Sequence, residues 1–292
     1  MLFPLFAIFL LGSSLYSSLY SSSYWNKTPK LMETGGICPT GQSCQRNCPI
    51  GTGGCTHKIL GLYEALGYLH KRCGYKIKNV LDVGANSGDW SLDLSRFISH
   101  PDMINQKNAS FFLIEGNPHH EVTLKETGYP FEISLVADVE KEVKFYVEKT
   151  GVAKTGSSMF KEHGLHTDEV IRQARPIDEI VARRNVGPFD AMKIDIQGAE
   201  ILALKGAKKT LETVNILFLE VSIMQYNLGG AEFFELHSVL DALGFAIMDI
   251  IDIFRFDPQD SFALQIDIMC VKKTSFLWSK NCTGFENQHH HQ

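Results

Sequence analysis

The chain has 292 residues, 44% hydrophobic and 21% charged, enough for one α/β domain of common size with further segments at its ends. Its net charge of −5 supplies no overall basic field, so nucleic acid is not an expected partner.

No charged side chain precedes Lys27, and the run Leu2 to Leu11 (LFPLFAIFLL) is apolar throughout. An apolar core of about 7–15 residues suits a signal peptide, while a membrane-crossing helix wants about 20. Serines interrupt the apolar run from Ser13 onward. Residues 1–25 are therefore expected to be a signal peptide or a short membrane anchor. That places the chain in the secretory pathway (lumenal, membrane-anchored or secreted), with a cytoplasmic location as the alternative.

Residues 26–56 form a Cys/Gly-rich linker that holds Cys38, Cys44, Cys48 and Cys55; Cys73, Cys270 and Cys282 follow. Such a cluster, with no CxxC spacing or His pair for zinc, reads as a small knot with disulfides within the Cys38 to Cys73 region, their connectivity open, in an oxidising compartment. Seven is an odd number, so one thiol is left free or paired between chains. Three sequons, at Asn26, Asn108 and Asn281, fit secretion.

From His57 the texture changes. Ile59, Leu62, Leu66 and Leu69 recur at helical spacing, with Gly74 as a stop. Short apolar runs then alternate with amphipathic segments. Strands are predicted at Lys78 to Gly84, Ser110 to Glu115, Phe131 to Ala137, Glu142 to Val147, Phe189 to Ile196, Val214 to Val221, Ala246 to Ile253 and Phe262 to Val271. Helices are predicted at Trp90 to Ile98, from about His119, around Leu202 and Leu204, and near Phe233 to Leu243. A polar insert is expected from Glu148 to about Ala174.

Strand alternating with helix predicts parallel strands with crossover helices on both faces. The last two strands are joined by a segment too short for a helix, so they should be antiparallel. The expected fold is α/β, a doubly wound, Rossmann-like, seven-stranded and mostly parallel sheet with an antiparallel last strand, the class I methyltransferase arrangement. Domain bounds are expected at 57–275, with a C-terminal tail over 276–292.

Between the first strand and its helix lies Asp82-Val-Gly84-Ala-Asn86-Ser-Gly88. Gly84 permits a sharp turn and Gly88 a close helix start, as at many ligand-binding βα turns. Asn86 stands where a nicotinamide enzyme needs a bare glycine against diphosphate, which disfavours an oxidoreductase. Glu115 ends the second strand, where a carboxylate can take ribose hydroxyls, and Asp138 follows the third, in reach of an adenine amino group. Asp82, Gly84, Asn86, Gly88, Glu115 and Asp138 are the expected cofactor-binding residues.

The most informative segment is FDAMKIDIQGAEILALKGAKKTLETVNILFLE, Phe189 to Glu220. Lys193 and Asp195 lie in a strand otherwise too apolar for the surface, and burying either unpaired would cost several kcal/mol. They must be paired or functional.

This segment resembles the hallmark of FkbM-type methyltransferases, K-I-D-x-x-G-A-E, then L-x-x-L-x-G-A-x-x-x-L, then a strand ending in Glu. Lys193, Asp195, Gly198, Ala199, Glu200, Gly206, Ala207, Leu211 and Glu220 stand in register with it. The Asp82 to Asp89 turn, Ala137-Asp138, Arg175-x-Ile177-Asp178 and LQIDIMCVK extend the likeness from Asn79 to Lys272. Gln197 departs from it, since many relatives carry Glu there.

The resemblance implies S-adenosyl-L-methionine as cofactor and O-methylation of a sugar, glycan or other small-molecule hydroxyl. Asp195, Lys193 and Glu220 are the expected catalytic residues, with Asp195 as base and His163 and His166 as second candidates for that role. Asp195 and Glu220 offer two of the roughly six oxygens magnesium takes, and with no further ligands in view no metal is assigned. The rival from another class is a secreted binding module that keeps the fold without catalysis.

Overall fold

The computed structural model describes residues 36–37, 43–44, 61–149, 156–162, 164–255 and 262–283. Gly36–Ile37 and Ser43–Cys44 pair as a short antiparallel ladder in a unit of their own. The apolar leader, Cys38, Cys48, Cys55 and His163 lie outside the described residues.

The second unit begins at Gly61. Its elements are α1 (Leu62–Cys73), β1 (Asn79–Val83), α2 (Asp89–Ser99), β2 (Ser110–Glu115), α3 (Glu121–Glu126), β3 (Phe131–Ile133), β4 (Leu135–Val136), β5 (Lys141–Glu148), β6 (Thr167–Arg175), α4 (Ile177–Arg184), β7 (Ala191–Ile194), α5 (Glu200–Lys205), β8 (Ile216–Ser222), α6 (Phe233–Ala242), β9 (Phe245–Arg255), β10 (Ala263–Lys272) and α7 (Lys280–Thr283). The apolar positions of α1 bury Ala65, Leu66 and Leu69, and Gly74 ends it in the left-handed conformation at φ 70°.

Seven strands form the main sheet in the order β9-β10-β8-β7-β1-β2-β3. Pairings from β3 through β8 are parallel, while β10 runs antiparallel to both β8 and β9. Six strands thus share one direction and β10 opposes them, the class I methyltransferase arrangement that the order of segments predicts. Period-two alternation sends Leu81, Phe112, Met192 and Leu217 to one face with α4, α5 and α6, and Val80, Phe111, Ala191 and Ile216 to the other with α1 and α2. Both faces are dry, which is why these strands read as unbroken apolar runs.

The stretch predicted as one strand, Phe131 to Ala137, is divided. Ser134 donates its N–H to the Glu115 carbonyl, and past it β4 leaves for a second sheet of order β4-β6-β5. The polar insert is also corrected. Its last third is β6, paired residue for residue with β5. Most of its side chains are exposed, so TDEVIRQAR shows no apolar period to reveal it.

The domain extends past the boundary expected at Ser275. Leu277 and Cys282 are buried with α1, and Cys282 forms a disulfide with Cys73, a sequence separation of 209. Cys73 therefore belongs to this clasp rather than to the N-terminal cluster. Cys270 is a free thiol buried in β10, its pKa pushed up to about 12 by burial. Among the described residues no helix is long and apolar enough to cross a membrane.

Candidate active site

The carboxyl ends of β1, β2, β7 and β8 and the amino end of the antiparallel β10 bring the chemistry together. At the β1 turn, Gly84 has φ +81°, and a Cβ there would sit 1.8 Å from the Asp195 carbonyl oxygen. The first requirement for glycine is thus the close passage of the β7 end, before any ligand arrives. Asp195 answers by donating its N–H to the Val83 carbonyl at 3.0 Å, which locks the two strand ends side by side.

Lys193 is the cation of the site. Its ammonium lies 3.0 Å from Asp195 Oδ2 and 3.7 Å from Asp82 Oδ1, donates to the Gly84 carbonyl at 3.3 Å, and stands 5.7 Å from the Trp90 ring centre. Burial would lower its pKa, but Asp195 and Asp82 outweigh that and raise it. Asp82 is fully buried behind it; Oδ2 accepts from Ser91 Oγ at 2.7 Å, while Oδ1 has no hydrogen bond and faces the ammonium. Burial raises the Asp82 pKa, with Lys193 and Ser91 opposing. Asp82 thus meets Lys193 from behind and offers no exposed surface to a ligand.

Asp195 is the open member, its side chain 29% exposed against 13% for Lys193. Its Oδ1 accepts from Gln197 Nε2 at 3.3 Å, and the same amide donates to Glu220 Oε1. Tyr226 OH lies 3.2 Å from Gln197 Oε1 and 2.6 Å from Gln265 Oε1. Burial raises the Glu220 pKa well above its ordinary value, reinforced by Asp195, Asp267 and Glu200. Asp267, opposite Glu220 in the β8–β10 ladder, is pushed up to about 7 by burial and then by Asp195 and Asp252. Glu200 also rises to about 7 through burial, against the N–H groups of Gly198 and Ile196 that bond to it.

On the cofactor side, Glu115 is buried and accepts one N–H on each oxygen, from Asn117 at 2.7 Å and from Asn86 at 2.7 Å. Burial raises its pKa and those N–H groups oppose the rise. Asn86 takes the left-handed φ of 51° to aim its N–H there, and Gly88 starts α2 at φ 89°. Asp138 shares no hydrogen bond or ion pair with these groups. It follows β4 and pairs with Lys141 at 2.6 Å, which lowers its pKa. His166, the second candidate base within the described residues, is exposed and only its carbonyl is engaged, by the Lys149 N–H.

Tyr226, Gln265, Asp267 and the buried Ser91 are neighbours the sequence did not single out. Asp267 carries a signal of the Asp195 kind, an acid inside the apolar strand LQIDIMCV. Tyr226 and Gln265 carry none. Among the described residues no group of three or more His, Cys, Asp or Glu is arranged to hold a metal. A cleft of about 550 Å³ opens at the opposite, amino end of the strands beside Tyr75, Asn79 and Asp190. Its carboxylate accepts the N–H groups of Lys78 and Asn79, a structural use.

Solved structures are similar to parts of the chain. Methyltransferase FkbM from Methylobacillus flagellatus KT is 17% identical, with 70% of this chain and 49% of that one covered at a TM-score of 0.41. This chain thus spans about half the length of that protein. Precorrin-6y C5,15-methyltransferase from Geobacter metallireducens GS-15 is 12% identical over 75% of this chain and 92% of that one, at 0.37. The trans-methyltransferase CalH, solved with SAH, is 12% identical over 72% and 55%, at 0.42. No curated protein matches the sequence significantly. The Methyltransferase FkbM domain model matches residues 82–247, from the end of β1 to the start of β9 with the Asp82 turn, Lys193, Asp195 and Glu220, and the chain belongs to that family.

Proposed function

We propose that the chain is an S-adenosylmethionine-dependent O-methyltransferase acting on a hydroxyl of a sugar, a glycan or another small molecule. The observation that carries this is Asp195, a partly exposed carboxylate at a parallel strand end, braced by a buried ammonium and touching the Gly84 turn. Open α/β sheets bind ligands at that edge. The donor set fits the cofactor: carboxylates outnumber Lys193 there, which suits a molecule bearing sulfonium and ammonium charges and repels a diphosphate. Each Glu115 oxygen accepts one N–H and keeps a lone pair for a ribose hydroxyl.

Bound S-adenosylmethionine supplies an electrophilic methyl group, transferred in line with loss of S-adenosylhomocysteine. Asp195 takes the acceptor's hydroxyl proton on Oδ1, the oxygen with the longer contact, while Oδ2 stays on Lys193. Lys193 keeps Asp195 oriented, and Asp82 holds Lys193 from the dry side. The Cys73–Cys282 disulfide supports an oxidising compartment, in keeping with the apolar leader and the sequons.

The test is methyl-labelled cofactor with a panel of glycans and small polyols, using wild type and Asp195→Asn. If Asp195 is the base, turnover falls by about 10²–10⁴ with S-adenosylhomocysteine affinity retained. An Asn variant that is equally active removes Asp195 from the chemistry.

A further inference from the structure

The two acids at the centre of the site are joined by an uncharged group that the proposed chemistry does not use. Gln197 donates from one amide nitrogen to Asp195 Oδ1 and to Glu220 Oε1, and its carbonyl oxygen faces Tyr226 OH. Its backbone is held in the left-handed region at φ +54°, an unfavourable setting for a residue with a side chain. The surroundings over-determine that turn. Buried Ser158 donates its hydroxyl to the Gln197 carbonyl at 2.7 Å, and Glu200 accepts the N–H groups of Ile196 and Gly198 on either side. A strained turn fastened from both flanks returns the side chain over the strand ends, between the two carboxyls.

Glu220 faces Asp195 from β7, Asp267 from β10 and Glu200 from α5, with Lys193 as the cation that offsets them. Tyr226, half-buried beside it, has its own pKa raised by burial and then by Glu220, so it remains a neutral hydroxyl. Asp195 has Lys193 on one oxygen and the Gln197 amide on the other. The amide thus brings hydrogen-bond support to both acids without adding a charge. An N–H donated to a carboxylate favours its ionised form.

We propose that Gln197 is the positioning residue of the site, tying Asp195 to Glu220 through one amide nitrogen, so that Asp195 presents a fixed, proton-accepting oxygen to the acceptor. This deepens the methyl-transfer reading and rests on it for its purpose, while the contact it describes can be read without cofactor or acceptor.

The experiment is a carboxyl-carbon NMR titration of the full chain labelled at Glu and Asp side-chain carboxyls. The Glu220 resonance is assigned by its loss in Glu220→Gln. In Gln197→Met, which keeps length and removes both donor and acceptor, the Glu220 midpoint moves up by about one pH unit or more. In Gln197→Glu a third acid enters the pair, a new resonance titrates well above the ordinary carboxylate range, and the Glu220 midpoint rises with it. Should Gln197→Met fail to fold, Tyr226→Phe, which loosens the amide's carbonyl, gives a smaller shift in the same direction. A Glu220 midpoint unchanged in folded Gln197 variants overturns the proposal, since a merely structural residue alters melting without moving that titration. Inactivity toward every acceptor with the midpoint shifted would instead count against the methyl-transfer reading alone.

Discussion

Replacing Lys193 with methionine keeps the stem of the side chain and deletes the charge that two carboxylates share. At an effective dielectric of about 20, an ammonium 3.7 Å from Asp82 and 3.0 Å from Asp195 is attracted by about 4.5 and about 5.5 kcal/mol. Desolvation of the three ions offsets most of that sum, so the net cost of breaking such a buried set is about 3–5 kcal/mol. Asp82 bears most of it, because it is fully buried and its Oδ1 has no hydrogen bond. Without the ammonium its already raised pKa climbs further. A carboxyl with a raised folded-state pKa stabilises the fold fully below its unfolded pKa, and that stability is lost as pH rises through the folded value. Urea unfolding should therefore show Lys193→Met losing more at pH 8 than at pH 5.5, and a second change, Asp82→Asn, should restore part of the loss at pH 8. A loss under about 1 kcal/mol at pH 8, or one independent of pH, would mean that Lys193 does not hold the Asp82 charge in the fold.

The Cys73–Cys282 clasp closes a separation of 209 residues, for which the chain-entropy estimate is about 5 kcal/mol; Cys282→Ser, or reduction, should lower Tm strongly, and an unchanged melt would mean that the bond is absent in solution. Glu162, with Glu148 nearby, has a pKa raised to about 7 by burial first and Glu148 second. Its contribution is present below about pH 4.5 and lost as pH rises through about 7. Glu162→Gln should accordingly raise Tm at pH 8 and change it little at pH 5, with equal effects at both counting against the pairing.

The frame was legible because the central strands β1, β2, β7 and β8 are dry on both faces, which leaves unbroken apolar runs in order. Asp195 and Lys193 stood out for the same reason: ionisable groups in such a run must be paired or functional, and here they pair with each other and with Asp82. The second sheet stayed hidden because β6 is solvated along most of its length and Ser134 splits one apparent strand between two sheets. The Gln197 bridge depends on a left-handed turn and on Tyr226 arriving from a loop after β8, neither of which leaves a period in the sequence. Glu115 was found by its place at a strand end, but its hold on the N–H groups of Asn86 and Asn117 required coordinates.

The carboxyl edge of this sheet is proposed to hold S-adenosylmethionine, and calorimetric titration of the full chain puts that to the test. Saturable one-site binding of S-adenosylmethionine and S-adenosylhomocysteine is expected, with none of a nicotinamide dinucleotide. Glu115→Gln keeps the shape but loses the charge-assisted bonds to ribose, so affinity should weaken by about 1.5–3 kcal/mol. No heat with either sulfur compound at millimolar concentration, or equal affinity in the Gln variant, would contradict it.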